Sequence, residues 1–135
     1  MSENAILDTS VLIDHWRTNR HAERLANLHL LVRNCSVVLA ELWRGAREPE
    51  ERAALDAMEK NLPTFTPTAA NWLESGRLLA EIADGRGFAP AKLRDLHFDV
   101  LIALTARTHG ARLITTNGAD FELIRGYRNF KLEVW

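Results

Sequence analysis

The sequence predicts an α/β fold in which a mainly parallel sheet is covered by helices on both faces. This prediction rests on the order of the predicted strands and helices along the chain. Short apolar segments that suit buried strands alternate along the chain with helical patterns of ten or more residues, and this alternation is typical of parallel sheets with helical crossovers. The length of 135 residues suits one ordinary domain, so we expect residues 1–135 to form a single unit with one core.

The first half of the chain is predicted to form two strands and three helices. In chain order, they are a strand at 4–7, helices at 11–16 and 20–32, a strand at 35–37 and a helix at 49–61. Asp8, Thr9 and Ser10 separate the first strand from the first helix, and residues of these types favour helix N-termini. Pro49 suits the first turn of its helix, where the missing N–H is harmless.

The second half is predicted to add three strands and three helices. In chain order, they are a strand at 63–67, helices at 69–83 and 96–109, a strand at 111–115, a helix at 120–124 and a strand at 130–134. Thr68 is expected to cap the helix after it, which closes at 84–87. The helix at 96–109 is the most apolar, and its residues 100–104 are apolar all round, which predicts burial on every side.

Composition and charge exclude several classes of protein. Hydrophobic residues make up 47% of the chain and charged residues 26%, which is typical of globular proteins. Cys35 is the single cysteine, so an internal disulfide is impossible, and the N-terminus lacks a signal-peptide pattern, so we expect a cytoplasmic location. No apolar run approaches the roughly 18 to 20 residues of a membrane-spanning helix. The net charge of −1 indicates no particular partner.

Four carboxylates are predicted to meet at one edge of the sheet. Asp8 directly follows the first predicted strand, Glu41 comes just after the second, and Asp120 lies in the loop after the fourth. Asp99 lies in the first turn of the apolar helix that precedes the fourth strand. Ligands of open parallel sheets bind beyond the carboxyl ends of the strands, so these acids share that edge if strands one and four are neighbours.

Carboxylates held side by side repel one another unless a cation compensates them. Mg²⁺ and Mn²⁺ accept carboxylate oxygens, retain several waters, and can polarise a phosphoryl oxygen and activate a water as nucleophile. The four acids therefore suit metal-dependent phosphodiester hydrolysis.

Each acid also has a structural explanation to weigh against this one. Asp8 could cap the first helix, the helix dipole could stabilise Asp99, and Asp120 could cap the short helix that follows it. For Glu41 the apolar neighbours favour a function, because an unpaired Glu is rarely tolerated in such surroundings. Asp95 is expected to start or cap its helix, with an accessory metal role as the alternative.

Other chemistries lack their patterns in this sequence. There is no glycine-rich phosphate loop and no paired-cysteine motif, and the histidines at 15, 21, 29, 97 and 109 have no convincing zinc-ligand spacing. Ser10 and Ser36 lack the Gly-x-Ser-x-Gly elbow of serine hydrolases. Asp14 is a further acidic residue that could contribute to the carboxylate site.

Four segments resemble, in order, the signature motifs of the PIN domains, and among them the VapC toxins of bacterial toxin–antitoxin modules. The segments are 7–13 (LDTSVLI), 36–42 (SVVLAEL) with Gly45, 99–103 (DVLIA) with Ala106, and 113–121 (LITTNGADF). The resemblance spans essentially the whole chain. It implies a five-stranded parallel sheet and a metal-binding quartet, which consists of Asp8, Glu41, Asp99 and Asp120.

The resemblance also implies accessory polar residues around the quartet. Thr9 and Thr116 look like neighbours that help to orient metal, water or phosphate. Asn117 departs from the family pattern, because many relatives carry an acid there. Either Asp120 supplies the fourth carboxylate, or a second metal position is weak.

The function that the resemblance implies is an endoribonuclease that depends on Mg²⁺ or Mn²⁺ and acts on structured RNA such as tRNA or rRNA. The implied partners are a second copy of the chain in a homodimer and a VapB-like antitoxin, which together form a hetero-oligomer. The C-terminal tail of such an antitoxin lies in a groove and reaches the acidic site, often with a basic residue. Trp16, Trp43 and Trp72 could serve that groove or the dimer contact, and core packing is the alternative for each.

Two other functions are open from the residues. A metal-dependent phosphatase with Asp8 as its nucleophile would expect a second Asp two positions on, where this chain has Ser10. A PIN-like module that binds RNA or protein without catalysis would tolerate loss of the acids, and their presence at all four places argues against it.

Overall fold

The computed structural model describes residues 3–135 as a five-stranded parallel sheet with helices packed around it. The strands are β1 (Asn4–Leu7), β2 (Leu31–Cys35), β3 (Thr64–Phe65), β4 (Arg112–Thr115) and β5 (Lys131–Val134). The helices are α1 (Thr9–Thr18), α2 (Ala22–Ala26), α3 (Ser36–Gly45), α4 (Pro49–Asn61), α5 (Ala69–Arg86), α6 (Pro90–His109) and α7 (Gly118–Arg125). The predicted fold class is confirmed.

The strand order is β3-β2-β1-β4-β5, and every pairing is parallel. The chain leaves β1 towards β2 and β3 on one side and returns to β4 and β5 on the other. The order therefore reverses at β1, whose Leu7 pairs with Ile114 of β4. Because strands one and four are neighbours, the crevice beyond their carboxyl ends is the expected place for a ligand site.

The core lies between the central strands and α6. Ile6, Leu113 and Ile114 are completely buried. Residues 100–106 of α6 are buried without exception, which confirms the burial predicted from a helix segment that is apolar on all sides. No helix within residues 3–135 is long and apolar enough to cross a membrane.

Two predicted elements in the first half are wrong. The helix expected at 20–32 is only the short α2, and Leu31 begins β2 instead. The strand expected at 35–37 lies earlier in the chain, because β2 ends at Cys35 and α3 begins at Ser36. Val37 is β-branched and therefore compatible with a strand, but it is buried on α3, where packing overrides propensity.

The main correction in the second half concerns α6, which begins at Pro90 rather than at Leu96. Proline suits the first helical turn, so the helix begins at Pro90, six residues earlier than predicted. Asp95 is therefore an exposed residue inside α6 and not its start or cap. Asp99 lies in the third turn of α6 instead of the first.

The predicted cap of α5 is confirmed. Thr68 Oγ1 accepts a hydrogen bond of 3.0 Å from the N–H of Asn71, and Asn71 Oδ1 accepts one of 3.1 Å from the N–H of Thr68. This reciprocal pair is a capping box. The helix continues to Arg86 and closes at Gly87, which has a φ of 64° that glycine adopts without strain.

Candidate active site

Asp8 is fixed at the carboxyl end of β1 by two hydroxyl groups. Ser10 Oγ and Thr115 Oγ1 both donate hydrogen bonds of 2.8 Å to Asp8 Oδ2. The main-chain N–H of Asp8 donates to the carbonyl of Ile114 at 2.8 Å. Asp8 is the N-cap residue of α1 by position, but its side chain makes no capping hydrogen bond. The carboxylate, which is only 3% exposed, is therefore held at the sheet edge and does not cap the helix.

The direction of the two hydroxyl bonds is set by main-chain donors behind them. The N–H of Thr116 donates to Ser10 Oγ at 3.1 Å, and the N–H of Asn117 donates to Thr115 Oγ1 at 2.9 Å. Each hydroxyl has a single proton. Because its oxygen already accepts a main-chain N–H, that proton is available for Asp8.

Sequence reasoning missed the roles of Ser10 and Thr115. Ser10 was not considered as a partner of Asp8, and Thr116, which was expected to act as a polar neighbour of the quartet, enters this network through its main-chain N–H. The signal that could have identified Thr115 is its position as the last residue of β4, the strand that pairs with β1.

Glu41 reaches the site from the second turn of α3, further from β2 than expected because β2 ends at Cys35. Thr9 Oγ1 donates a hydrogen bond of 2.9 Å to Glu41 Oε1. Burial raises the pKa of the Glu41 carboxyl, and the negative charge of Asp8 raises it further, against the opposing effects of Thr9 and Arg44. Glu41 and Asp8 therefore repel each other across the edge of the sheet.

Asp99 is the most perturbed of the four acids. Burial on α6 is the largest cause, and together with the charges of Asp8, Glu41 and Asp120 it raises the pKa of Asp99 to about 8. The charge of Lys92 opposes this rise. Four acids from four separate segments of the chain therefore act on one another, and in the absence of a metal burial and these charges favour the protonated form of Asp99.

Asp120 lies in the first turn of α7, whose N-cap residue is Asn117. It does not cap the helix, because both of its oxygens have other partners. Lys92 Nζ lies 3.1 Å from Asp120 Oδ1, and Asn117 Nδ2 donates a hydrogen bond of 3.3 Å to Asp120 Oδ2. Asn117 thus supports the carboxylate that follows it.

The chemistry of this donor set fits a hard divalent cation. The four groups are carboxylates, and burial together with the charges of neighbouring acids raises the pKa of Glu41 and Asp99, an effect that a bound cation would oppose. As the side chains stand within residues 3–135, no three of the Asp, Glu, His or Cys residues are arranged to hold one ion. Water or phosphate oxygens would therefore complete the coordination, as is usual for Mg²⁺.

The other acidic candidates stay apart from this cluster. Asp14 Oδ2 lies 2.6 Å from Arg20 Nε and 2.6 Å from His21 Nε2. Asp95 is exposed on α6. Neither contributes to the charges that act on Asp99.

The three tryptophans differ in their surroundings. Trp16 is partly exposed and lines a cavity of about 440 Å³ that also contacts Glu41, Arg17, Leu42 and Arg47. The indole N–H of Trp43 donates to Glu59 Oε2 at 3.0 Å, and the ring of Trp43 packs against the core. Trp72 is 52% exposed on α5. Core packing, which was the alternative role for each tryptophan, therefore applies to Trp43.

Fold and site together define an α/β protein with an acidic cluster at the switch point of a parallel sheet. The sequence profile of the PIN domain matches residues 5–127. The chain therefore belongs to the PIN-domain family. No curated protein matches the sequence significantly.

Solved structures with a similar fold include three VapBC proteins. DNA-bound VapBC from Salmonella typhimurium is 25% identical with a TM-score of 0.74, over 100% of this chain and 99% of that chain. VapBC2 from Rickettsia felis, bound to a promoter DNA fragment, is 23% identical with a TM-score of 0.71, over 98% of both chains. VapBC-1 from nontypeable Haemophilus influenzae is 23% identical with a TM-score of 0.72, over 98% of both chains.

Proposed function

We propose that this protein is a divalent-metal-dependent endoribonuclease and the toxin component of a type II toxin–antitoxin system. The observation that carries the proposal is the acidic cluster, in which burial and then the charges of Asp8, Glu41 and Asp120 raise the pKa of Asp99 to about 8. A group perturbed this strongly by burial and by specific charged neighbours is typical of a functional site. Membership of the PIN-domain family and the similarity to VapBC structures support the same function.

The ligands of the ion, Mg²⁺ or Mn²⁺, would be Asp8, Asp99 and Asp120, with Glu41 completing the set or acting as a base. The chemistry that such an ion supplies is polarisation of a phosphoryl oxygen and activation of a water. Ser10 and Thr115 orient Asp8 for this purpose by fixing one of its oxygens.

Glu41 is suited to hold the proton of an attacking water. Thr9 fixes Oε1 and thereby orients the carboxylate. Burial raises the pKa of Glu41, and a raised pKa brings a carboxylate closer to the pH at which a general base works well.

Basic side chains near Glu41 are suited to bind the phosphates of the RNA substrate. Arg17 and Arg47 line the cavity that contains Glu41. Arg44 lies close enough to lower the pKa of Glu41 and stacks over the ring of Phe98 at 5.7 Å. Such groups would offset the repulsion between the acidic site and the RNA backbone. A structured RNA such as tRNA or rRNA is the proposed substrate.

The same cavity fits the tail of a VapB-like antitoxin. Its wall combines apolar side chains, Ile13, Trp16 and Leu42, with two carboxylates, Glu41 and Glu51, and the two arginines named above. An apolar peptide whose basic residue pairs with Glu41 would be complementary to the apolar and acidic parts of this wall. The proposal includes a homodimer, its hetero-oligomer with the antitoxin, and a cytoplasmic location.

The test of the nuclease proposal compares RNA cleavage by the wild type and Asp8→Asn in Mn²⁺ or Mg²⁺. We expect the variant to lose nearly all activity and EDTA to abolish cleavage by the wild type. Asp56→Asn is the matched control, because Asp56 is an exposed acid on α4. Equal cleavage by wild type and Asp8→Asn would overturn the proposal.

The toxin proposal has its own test. We expect a short reading frame for a DNA-binding antitoxin beside the gene, and co-expression with it should prevent the RNA cleavage seen with the toxin alone. Mapping of the cleaved RNA ends would identify the target. If no neighbouring product inhibits cleavage, the toxin assignment fails and the nuclease assignment stands.

A further inference from the structure

Lys92 introduces a positive charge into the acidic cluster. It precedes Asp99 by seven residues on α6, which is two helical turns, so both residues lie on the same face of the helix. That face packs against α7, where Lys92 Nζ lies 3.1 Å from Asp120 Oδ1. Both partners of this ion pair are partly shielded from solvent.

The Asp120 end of the cluster differs from the rest of it. Asp120 has Lys92 at one oxygen and Asn117 at the other, so its charge is already compensated within the chain. Asp99, by contrast, is buried close to the negative charges of three other acids, and the charge of Lys92 offsets their effect only in part. One divalent ion could share Asp120 with Asp8 and Asp99, whereas a second ion beside Asp120 would have to displace the ammonium group of Lys92.

We propose that Lys92 is a positioning residue of the acidic site, whose ammonium group takes the place of a second divalent ion beside Asp120. The inference rests on the proposed metal site. A lysine ammonium is a compact point charge on a flexible stem, so it can follow the Asp120 carboxylate without an ordered coordination shell. The chain should accordingly bind one divalent ion well and a second one weakly.

The test is a calorimetric titration of the whole protein with Mn²⁺, free of RNA. In Lys92→Met, we expect the second ion to bind roughly five- to tenfold more tightly than in the wild type, because a positive charge within a few ångströms is removed. Lys92→Arg keeps the charge and should behave as the wild type. Lys131→Met is the matched control, because Lys131 pairs with Glu3 at 3.4 Å, away from the cluster.

A second measurement uses the metal-free protein. Lys92→Met should melt at a lower temperature than the wild type in EDTA, because the carboxylates lose their internal counter-ion. The double variant Lys92→Met/Asp120→Asn should recover much of this loss, since it removes the unpaired carboxylate as well. A lysine that does not interact with Asp120 would show no such rescue, and the Mn²⁺ titration separates a role at the metal site from an ion pair that only stabilises the fold.

The outcomes separate the two proposals. If Lys92→Met binds the second Mn²⁺ no more tightly than Lys131→Met does, the role of Lys92 is overturned, while tight binding of the first ion still supports the nuclease proposal. If the wild type binds no Mn²⁺, the metal site fails, and the inference about Lys92 fails with it.

Discussion

Thr115 Oγ1 donates a hydrogen bond of 2.8 Å to Asp8 Oδ2, although the two residues are 107 positions apart in the sequence. The bond joins the carboxyl ends of β4 and β1, which are neighbours in the sheet. The N–H of Asn117 donates to the same Thr115 oxygen, so the hydroxyl proton of Thr115 is available for Asp8. A strand-end hydroxyl thus orients the acid on which the proposed chemistry depends.

Replacing Thr115 by valine should impair both stability and activity. Thr115 is completely buried, and the near-isosteric Thr115→Val leaves Asp8 and the N–H of Asn117 each short of a partner, which costs about 1–3 kcal/mol of unfolding free energy. Urea denaturation measures the loss, and the rate of RNA cleavage should fall with it. Thr115→Ser keeps the hydroxyl and should remain close to the wild type. Wild-type values for Thr115→Val would show that the bond contributes nothing.

Replacing Asp99 by asparagine should stabilise the metal-free protein at alkaline pH. The pKa of Asp99 rises from 3.8 to about 8 on folding, so the folded state holds the proton more tightly than the unfolded state. The resulting stability is fully present below about pH 4 and is lost as the pH rises to about 8. Asp99→Asn, which cannot ionise, should escape this loss.

The measurement for Asp99 is the melting temperature in EDTA as a function of pH. The advantage of Asp99→Asn over the wild type should be largest at about pH 8 and above, where Asp99 of the wild type is forced to ionise, and it should shrink as the pH falls. Asp95→Asn is the matched control on the same helix, because Asp95 is exposed. A difference between Asp99→Asn and wild type that does not vary with pH would contradict the assignment.

Asp14 should prove to be structural, in contrast to Asp8. Its carboxylate is the partner of His21 Nε2 at 2.6 Å, and His21 is only 1% exposed. Asp14→Ala should lower the unfolding free energy by about 1–3 kcal/mol, because it leaves a buried polar atom without a partner. Calorimetry should find unchanged Mn²⁺ affinity in Asp14→Ala and none in Asp8→Asn. A loss of Mn²⁺ binding in Asp14→Ala would place Asp14 in the site.

The capping box of α5 should contribute to stability alone. Thr68→Ala removes the hydroxyl that accepts the N–H of Asn71, and loss of such a cap costs about 1 kcal/mol. Thermal denaturation measures it, with Thr68→Ser as the variant that keeps the cap. RNA cleavage should not change, and a Thr68→Ala protein as stable as the wild type would contradict the prediction.

Much of the fold could be predicted because its signals are local. The apolar run at 100–104, the Pro49 helix start and the Thr68 cap each depend on residues within a few positions of one another. The boundaries of β2 and α6 could not be predicted as well, because Val37 and Pro90 are compatible with more than one local structure. Tertiary packing decided between them.

The sequence by itself determined the fold class and the four acids that the strand order places at one edge, with Asp8 first among them. Only the tertiary structure decided that Ser10 and Thr115 hold Asp8, that Lys92 pairs with Asp120, and that burial among other acids raises the pKa of Asp99. The physical reason is one of range. Strand and helix patterns arise from neighbouring residues, whereas hydrogen bonds, ion pairs and pKa shifts depend on distances of a few ångströms between groups far apart along the chain.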